Sequence, residues 1–393
     1  MNFEEIKELD QKYIMNTYNR YPVAIDHGEG ATLYDTEGRK YIDFTSGIGV
    51  NTLGYGCKGW ENAVTEQVKK LSHISNLYYT EPDVKVAEKL CEKSGMKKVF
   101  FCNSGAEANE GMIKMARKYS KDKYGEGRHT IITLKNSFHG RTITTLNATG
   151  QDCFHTDFQP LTEGFRYAEA NDISYLIEQD GDDVCAVMVE LIQGEGGVNP
   201  LDKKYVEMVR SYCEKRDLLF LVDEVQTGIG RTGSLFAFQQ YEIEPDAVSF
   251  AKGIAGGLPM GGFLANDKLK DVLTPGTHGS TFGGNPVSCA AASYVLDSLD
   301  EKLFTEIKAK GDYIKQYIVA TCSDTVESVK GAGLMIGIKL KYLKNTDVAA
   351  SLCSRGLLTL TAGGNVLRLL PPLTISIEEL EEGLKILTGL IGD

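Results

Sequence analysis

A lysine and an aspartate, each standing just after an apolar run, carry the chemistry most legible in this chain. Lys252 closes DAVSFAKG, and Asp223 closes the apolar part of LLFLVDEVQTG. Such runs read as strands of a parallel sheet buried on both faces. Ligands of open α/β sheets bind beyond the carboxyl ends of the strands, so both side chains are expected in one crevice. A lysine amine condenses with an aldehyde to an imine. A buried carboxylate needs a partner, and a protonated pyridine nitrogen supplies one. Together they meet the requirement of pyridoxal 5′-phosphate, whose protonated ring stabilises the carbanion formed when a C–H bond breaks. The flanks FAKGIAGG are apolar and glycine-rich, which suits a desolvated lysine of lowered pKa. Once displaced by a substrate amine, that lysine can shuttle a proton between carbons. Taken singly, Lys252 reads as one more solvated lysine and Asp223 as a helix cap; the five apolar residues before Asp223 favour burial.

The segment NSGAEANEG, Asn103–Gly111, follows the run KVFFC and opens a helical pattern. Small residues there let backbone N–H groups approach a phosphate, which the helix dipole also favours. The plain alternative is a strand-to-helix turn with a serine cap. The segment fits neither G-x-G-x-x-G nor the P-loop pattern, which disfavours a nucleotide.

These groups need a scaffold. Strands are expected at Val99–Cys102, Thr130–Leu134, Cys185–Glu190, Leu218–Asp223, Ala247–Lys252 and Gly262–Ala265, each rich in Val, Ile, Leu and Phe with little alternation. Helical stripes fall at Met112, Met115, Ala116 and Tyr119, and at Tyr205, Met208, Val209 and Tyr212. Repeated βα units predict an α/β fold with a mainly parallel central sheet. GATLYDTEGRKYIDF reads as a hairpin. Helices at Cys289–Leu299 and Lys302–Ala320, a strand at Leu334–Leu340 and a helix from Ile377 follow. Residues 51–288 are expected to form a large cofactor-binding domain. Residues 1–50 plus 289–393 are expected to form a smaller α+β domain built from both termini. Asn199–Pro200 and Gly363–Gly364 read as turns.

Composition narrows the class. The chain has 393 residues, 42% of them hydrophobic, with no apolar run of membrane-spanning length. Its acidic N-terminus, MNFEEIKELDQKY, lacks a signal-peptide pattern. Nine cysteines without a C-x-x-C pair favour reduced thiols, no metal site and a cytoplasmic location. A net charge of −12 disfavours nucleic acid. Anionic substrates must then be caught by local arginines.

Beyond these patterns the chain resembles the class III PLP-dependent aminotransferases of fold type I from about residue 17 to about 385. The segments that carry the likeness are NSGAEANEGMIKMARKY, SFHGRTITTLNATGQ, VMVELIQGEGGV, FLVDEVQTGIGRTG, PDAVSFAKGIAGGLPMGG, HGSTFGGNP and VLRLLPPL. The finer likeness is to the subgroup that takes the δ-amine of acetylornithine. Ornithine, succinylornithine, succinyldiaminopimelate and 4-aminobutyrate types stay open beside it, as does, from another class, a catalytically silent PLP-binding regulator.

The resemblance implies a role for each matching residue. Lys252 would hold pyridoxal 5′-phosphate as an imine, and Asp223 would pair with its ring nitrogen. Ser104, Gly105 and Ala106 would meet the phosphate. Phe138 and Val225 would cover the two ring faces. Glu224 and Gln226 would stand beside them, Gln226 near the phenolic oxygen. In a homodimer with shared sites, Thr281 would reach the phosphate of a second copy and Ser280 its substrate. Arg141 would fork onto a carboxylate of the amino donor or of 2-oxoglutarate. Arg368 would take the second carboxylate of 2-oxoglutarate and would be masked by Glu195 when an ω-amine is bound. His139 is given packing or hydrogen bonding and no catalytic role. Tyr18–Pro22 are candidates by position for reading the acetyl group. Two departures from the family stand out. GYGCKGW, Gly54–Trp60, replaces a common His-Pro pair near the expected site mouth, and Leu191 stands where proline is common.

Overall fold

The computed structural model describes residues 1–392. Its centre is a seven-stranded sheet in the order Lys98–Cys102, Gly261–Ala265, Ala247–Phe250, Leu219–Asp223, Val184–Val189, Thr130–Leu134 and Phe165–Ala168. Gly261–Ala265 is antiparallel to both its neighbours, and the other pairings are parallel. The strand Leu219–Asp223 is buried along its whole length. Phe220 and Val222 enter one apolar cluster, Leu219 and Leu221 the other. Strand side chains alternate between faces, so Asp223 projects on the side of Leu219 and Leu221. That side is covered by the helix Gly105–Tyr124 through Met112, Met115 and Ala116. The helix Lys203–Arg216 packs into the opposite cluster through Tyr205, Val206, Val209 and Cys213. Its buried stripe is rotated from the expected one: Met208 is exposed, and Val206 and Cys213 take its place.

Four expectations shift. The strand before Lys252 ends at Phe250, and Lys252 opens a short 3-10 turn, Lys252–Ala255. Phe165–Ala168 adds an edge strand that the sequence reading did not include. Asn199–Pro200 is not a simple turn but a two-residue strand paired with Ile192–Gln193. The expected domain boundary at 288/289 falls inside the helix Pro286–Ser298, which packs against the helices Lys58–Lys70 and Glu81–Ser94 and the turn after Lys252.

The chain ends meet. The hairpin Thr32–Asp35/Lys40–Asp43 shares a four-stranded sheet with Leu357–Leu358. The C-terminal helix Ile377–Ile391 sends Glu379 to the Ala31 N–H at 2.7 Å. A second four-stranded sheet joins Val326–Ala332, Met335–Leu340, Val366–Leu369 and Leu360–Ala362, and so places Arg368. Gly54 sits at φ +72°, where a Cβ would lie 2.4 Å from the Gly30 carbonyl oxygen, so only glycine fits that crossing.

Arg231 ties these ends to the central sheet. Its buried guanidinium donates to the carbonyls of Leu334 at 3.0 Å and Pro371 at 2.6 Å, and to Ser46 Oγ at 3.4 Å. Burial pushes its pKa down to about 9, against the favourable charge of Asp43. Arg231→Ala leaves two buried carbonyls without donors and opens a cavity. It should destabilise the protein by about 3 kcal/mol, read as a lower thermal midpoint. An unchanged midpoint would contradict this latch.

Candidate functional site

A cavity of about 450 Å³ opens where the central strands end, and both Asp223 and Lys252 line it. Asp223 is 3% exposed. Its Oδ2 accepts from the Asn109 amide at 2.7 Å and lies 2.7 Å from His139 Nδ1. Its Oδ1 accepts from the Val225 N–H at 3.0 Å and from the Ser249 hydroxyl at 3.3 Å. Burial alone would raise the Asp223 pKa. The His139 hydrogen bond and charge, the Val225 amide and Asn109 outweigh it, and the carboxyl ends below its ordinary value. A carboxylate only accepts, so His139 Nδ1 carries the shared proton. The Ser249 contact is the longest of the four, which leaves Oδ1 acceptor capacity toward the cavity.

Lys252 is partly buried and adopts φ +45°. A left-handed residue costs about 1–2 kcal/mol, so the surroundings must impose it. The next peptide is held by Thr52, whose hydroxyl donates to the Gly253 carbonyl at 2.6 Å. A Cβ on Gly253 would meet Thr52 Oγ1 at 2.5 Å. Burial lowers the Lys252 pKa, with Arg368 adding to the effect and Asp223, Glu190 and Glu195 opposing it. A lysine poised this way reaches its nucleophilic neutral form at lower pH than a surface lysine.

The helix Gly105–Tyr124 opens on the same cavity. Ser104 caps it by accepting from the Glu107 N–H at 3.2 Å. First-turn N–H groups have no intrahelical acceptor, so those of Gly105 and Ala106 can receive a phosphate. A Cβ on Gly105 would sit 2.6 Å from Val225 Cγ1. Phe138, Val225 and Gln226 line the cavity with them. A buried anion at the base, a lysine of lowered pKa, and a helix start beside aromatic and aliphatic walls fit pyridoxal 5′-phosphate. Two buried polar atoms of the Asp223 surround, Asn109 Oδ1 and His139 Nε2, have no protein partner among the described residues.

Two arginines differ in setting. Arg141 is exposed and lines the cavity, its guanidinium 4.2 Å from the Phe154 ring and 5.6 Å from that of Phe138. Arg368 is 3% exposed. It pairs with Glu195 Oε2 at 3.0 Å and donates to Gln226 Oε1 at 3.2 Å. Its Nε is buried without a partner. The Glu195 side chain is 37% exposed, so this carboxylate can leave for water while the arginine cannot.

Some expected residues lie elsewhere. Glu224 is turned away from the cavity, opposite in strand parity to Asp223. It accepts from the Thr227 hydroxyl at 2.6 Å and from the Ala237 and Phe238 N–H groups at 3.0 and 2.7 Å. Its expected place beside the cofactor is therefore corrected to a turn-holding one. Ser280 and Thr281 lie on a loop outside the cavity, and Thr281 is exposed. Tyr18–Pro22 line a separate hollow against the helix Phe3–Tyr13. None of Gly54–Trp60 lines the cavity; Trp60 Nε1 instead donates to the Ala255 carbonyl at 3.1 Å, behind Lys252.

Three residues were not placed at the site from sequence: Asn109, His139 as the partner of Asp223, and Glu190. The Asn109 position, one helical turn past Gly105, was the available signal. Glu190 is 5% exposed and follows the strand Val184–Val189. Burial pushes it up to about 7; the His139 charge opposes this and Asp223 adds to it.

The depressed Asp223 pKa has a stability consequence. A carboxyl whose folded pKa lies below its unfolded value stabilises the fold above the ordinary carboxylate range. That contribution is lost as pH falls through the depressed folded value. His139→Phe removes the main group holding it down, so the acid-unfolding midpoint should move to higher pH. An unchanged midpoint by circular dichroism would contradict the assigned role.

The Aminotransferase class-III family matches residues 13–391. The chain is 50% identical over 395 residues to the acetylornithine aminotransferase of Haemophilus ducreyi, covering 100% of both. It is 46% identical to that of Caldanaerobacter subterraneus, covering 98% of each. Among solved structures, the ornithine aminotransferase of Toxoplasma gondii superposes with a TM-score of 0.94 at 30% identity, over 99% of this chain and 94% of that one. The N-acetylornithine aminotransferase of Stenotrophomonas maltophilia superposes with 0.84 at 35%, over 98% of each. A match across nearly the whole chain, on a fold whose strand ends gather a lysine and an aspartate, places this protein in the class-III aminotransferases.

Proposed function

We propose that this chain is an acetylornithine aminotransferase that works by a ping-pong cycle. It would move the δ-amino group of N2-acetyl-L-ornithine to 2-oxoglutarate, giving N-acetyl-L-glutamate 5-semialdehyde and L-glutamate, a step of arginine biosynthesis. The observation that carries this reading is the buried Arg368, paired with a half-exposed Glu195 and bonded to the cavity residue Gln226, behind a cavity that Arg141 lines. A donor that reacts at its δ-amine presents its α-carboxylate far from the reacting atom, within the province of Arg141. Near the reacting atom it is uncharged, and Glu195 can stay on Arg368. 2-Oxoglutarate carries a carboxylate next to its keto carbon as well as a distal one. Its distal group can use Arg141, and its near one needs Arg368 uncovered. Full-length relatives bearing the acetylornithine name support the donor assignment.

When bound, pyridoxal 5′-phosphate supplies an aldehyde that captures amines and a protonated ring that accepts electrons. In this reading Lys252 would hold it covalently and, when free, would serve as the base and acid that moves a proton. Asp223 would keep the ring nitrogen protonated, Gly105 and Ala106 with Ser104 beside them would take the phosphate, Phe138 and Val225 would cover the ring, and Gln226 would stand near the phenolic oxygen. The nine cysteines are free thiols, consistent with a cytoplasmic location.

The working unit is proposed to be a homodimer. Leu77, Tyr78, Tyr79 and Phe282 are exposed at 86, 64, 100 and 61%. Asn76 donates to the carbonyls of Ser280 and Gly283, so the loop bearing Ser280 and Thr281 belongs to this apolar surface. Covering it with a second copy would bring Thr281 to that copy's phosphate and Ser280 to its substrate. The sheet shared by the hairpin and Leu357–Leu358 supports a smaller domain built from both ends of the chain.

Half-reactions with acetylornithine, ornithine, succinylornithine, succinyldiaminopimelate and 4-aminobutyrate, compared by kcat/KM, test the donor. Acetylornithine should rank first; a higher value for any other donor would overturn the assignment. Glu195→Ala should favour the glutamate half-reaction over the ω-amine half-reaction in single-turnover assays, and an unchanged ratio would overturn the masking of Arg368.

A further inference from the structure

Glu190 is a buried carboxylate that the proposed chemistry leaves without a task. Its two oxygens serve two different chain segments. Oε2 accepts from the Phe138 N–H at 2.9 Å, and Oε1 accepts from the Gly194 N–H at 3.2 Å. Phe138 lines the cavity, and Gly194 immediately precedes Glu195. The Gly194 backbone is also backed by Gln226: a Cβ there would lie 2.3 Å from Gln226 Nε2. Gln226 in turn accepts from Arg368 at 3.2 Å. On its other side Glu195 is fixed by its own carbonyl, which accepts from the Gly363 N–H at 2.8 Å. Glu195 therefore reaches Arg368 from a backbone held at both ends; Glu190 ties that backbone to the Phe138 amide, and beside it the Gln193 side chain donates to the Lys135 carbonyl at 2.7 Å.

We propose that Glu190 is a positioning residue for choosing between donor and acceptor: its carboxylate clamps the Gly194 amide to the Phe138 amide and so keeps Glu195 in register with Arg368. The inference deepens the proposed function and rests on Glu195 masking Arg368. With the clamp intact, uncovering Arg368 is a rotation of the Glu195 side chain over a fixed backbone. Without it the backbone itself loosens, the covered state loses its advantage, and carboxylates compete better for Arg368.

The isosteric change Glu190→Gln isolates the clamp. A glutamine has a single carbonyl oxygen and can accept only one of the two N–H groups; its NH2 end then faces the other donor. Loss of the Glu190 charge by itself also favours a substrate carboxylate near Arg368, and that effect would persist in the Glu195→Ala background, whereas the clamp's would not. Single-turnover rates with glutamate and with acetylornithine are measured in the wild type, Glu190→Gln, Glu195→Ala and the double variant, each loaded with cofactor. Loss of one buried hydrogen bond should shift the ratio toward glutamate by about tenfold. In the Glu195→Ala background the clamp's part of this shift should be lost. A Glu190→Gln protein with an unchanged ratio, or with the same shift in both backgrounds, overturns the clamp while leaving the masking of Arg368 intact. An unchanged ratio in Glu195→Ala alone overturns the masking and the clamp together. Should Glu190→Gln fail to fold, Glu190→Asp keeps the charge but is too short to reach both amides. It should shift the ratio in the same direction, and a folded Glu190→Asp protein without a shift overturns the clamp.

Discussion

Asp223 is an anion held almost entirely out of water, and an isolated carboxylate in such a place would normally take up a proton. Here four donors converge on it: the His139 ring, the Asn109 amide, the Val225 N–H and the Ser249 hydroxyl. They come from four different parts of the chain, so the sheet and the helix Gly105–Tyr124 must be assembled before the charge can be tolerated. The requirement runs in both directions. The fold makes the carboxylate possible, and the carboxylate gives the crevice the negative base that a protonated aromatic nitrogen needs.

The rest of the site is arranged around that charge. Lys252 loses affinity for its proton through burial, and Asp223, Glu190 and Glu195 temper the loss while Arg368 deepens it. The strain of its left-handed backbone is borne by the packed turn that follows. Arg368, buried and cationic, is compensated by a carboxylate that can leave and an amide that stays. A site with one permanent anion and one removable anion is suited to taking substrates of two different charges in turn.

Much of this was legible in the sequence because it is local. Asp223 follows an uninterrupted apolar run and Lys252 one broken only by Ser249, and the small residues after Ser104 mark a helix start. What sequence spacing conceals is parity and distance. Glu224 adjoins Asp223 in the chain but points to the opposite face, where backbone amides consume its carboxylate. His139 lies 84 residues from Asp223, and only the completed sheet puts them 2.7 Å apart. The rotated stripe of the helix Lys203–Arg216 has a similar origin, since Val206 and Cys213 form as regular a face as Met208 and Tyr212. Phe165–Ala168 is short and half-buried at the sheet edge, so its composition carries little strand signal. The boundary at 288/289 cuts a helix because the apolar pattern starts it at Cys289, whereas Asn285 caps it and Pro286 opens it three residues earlier.

The central claim is that Asp223 remains ionised in its buried setting and thereby keeps the cofactor ring protonated. The 15N chemical shift of ring-labelled pyridoxal 5′-phosphate in the holoenzyme at neutral pH reads this directly. A protonated, hydrogen-bonded ring nitrogen is expected in the wild type and a free-base nitrogen in Asp223→Asn. A free-base nitrogen in the wild type, or a protonated one that persists in Asp223→Asn, would contradict it.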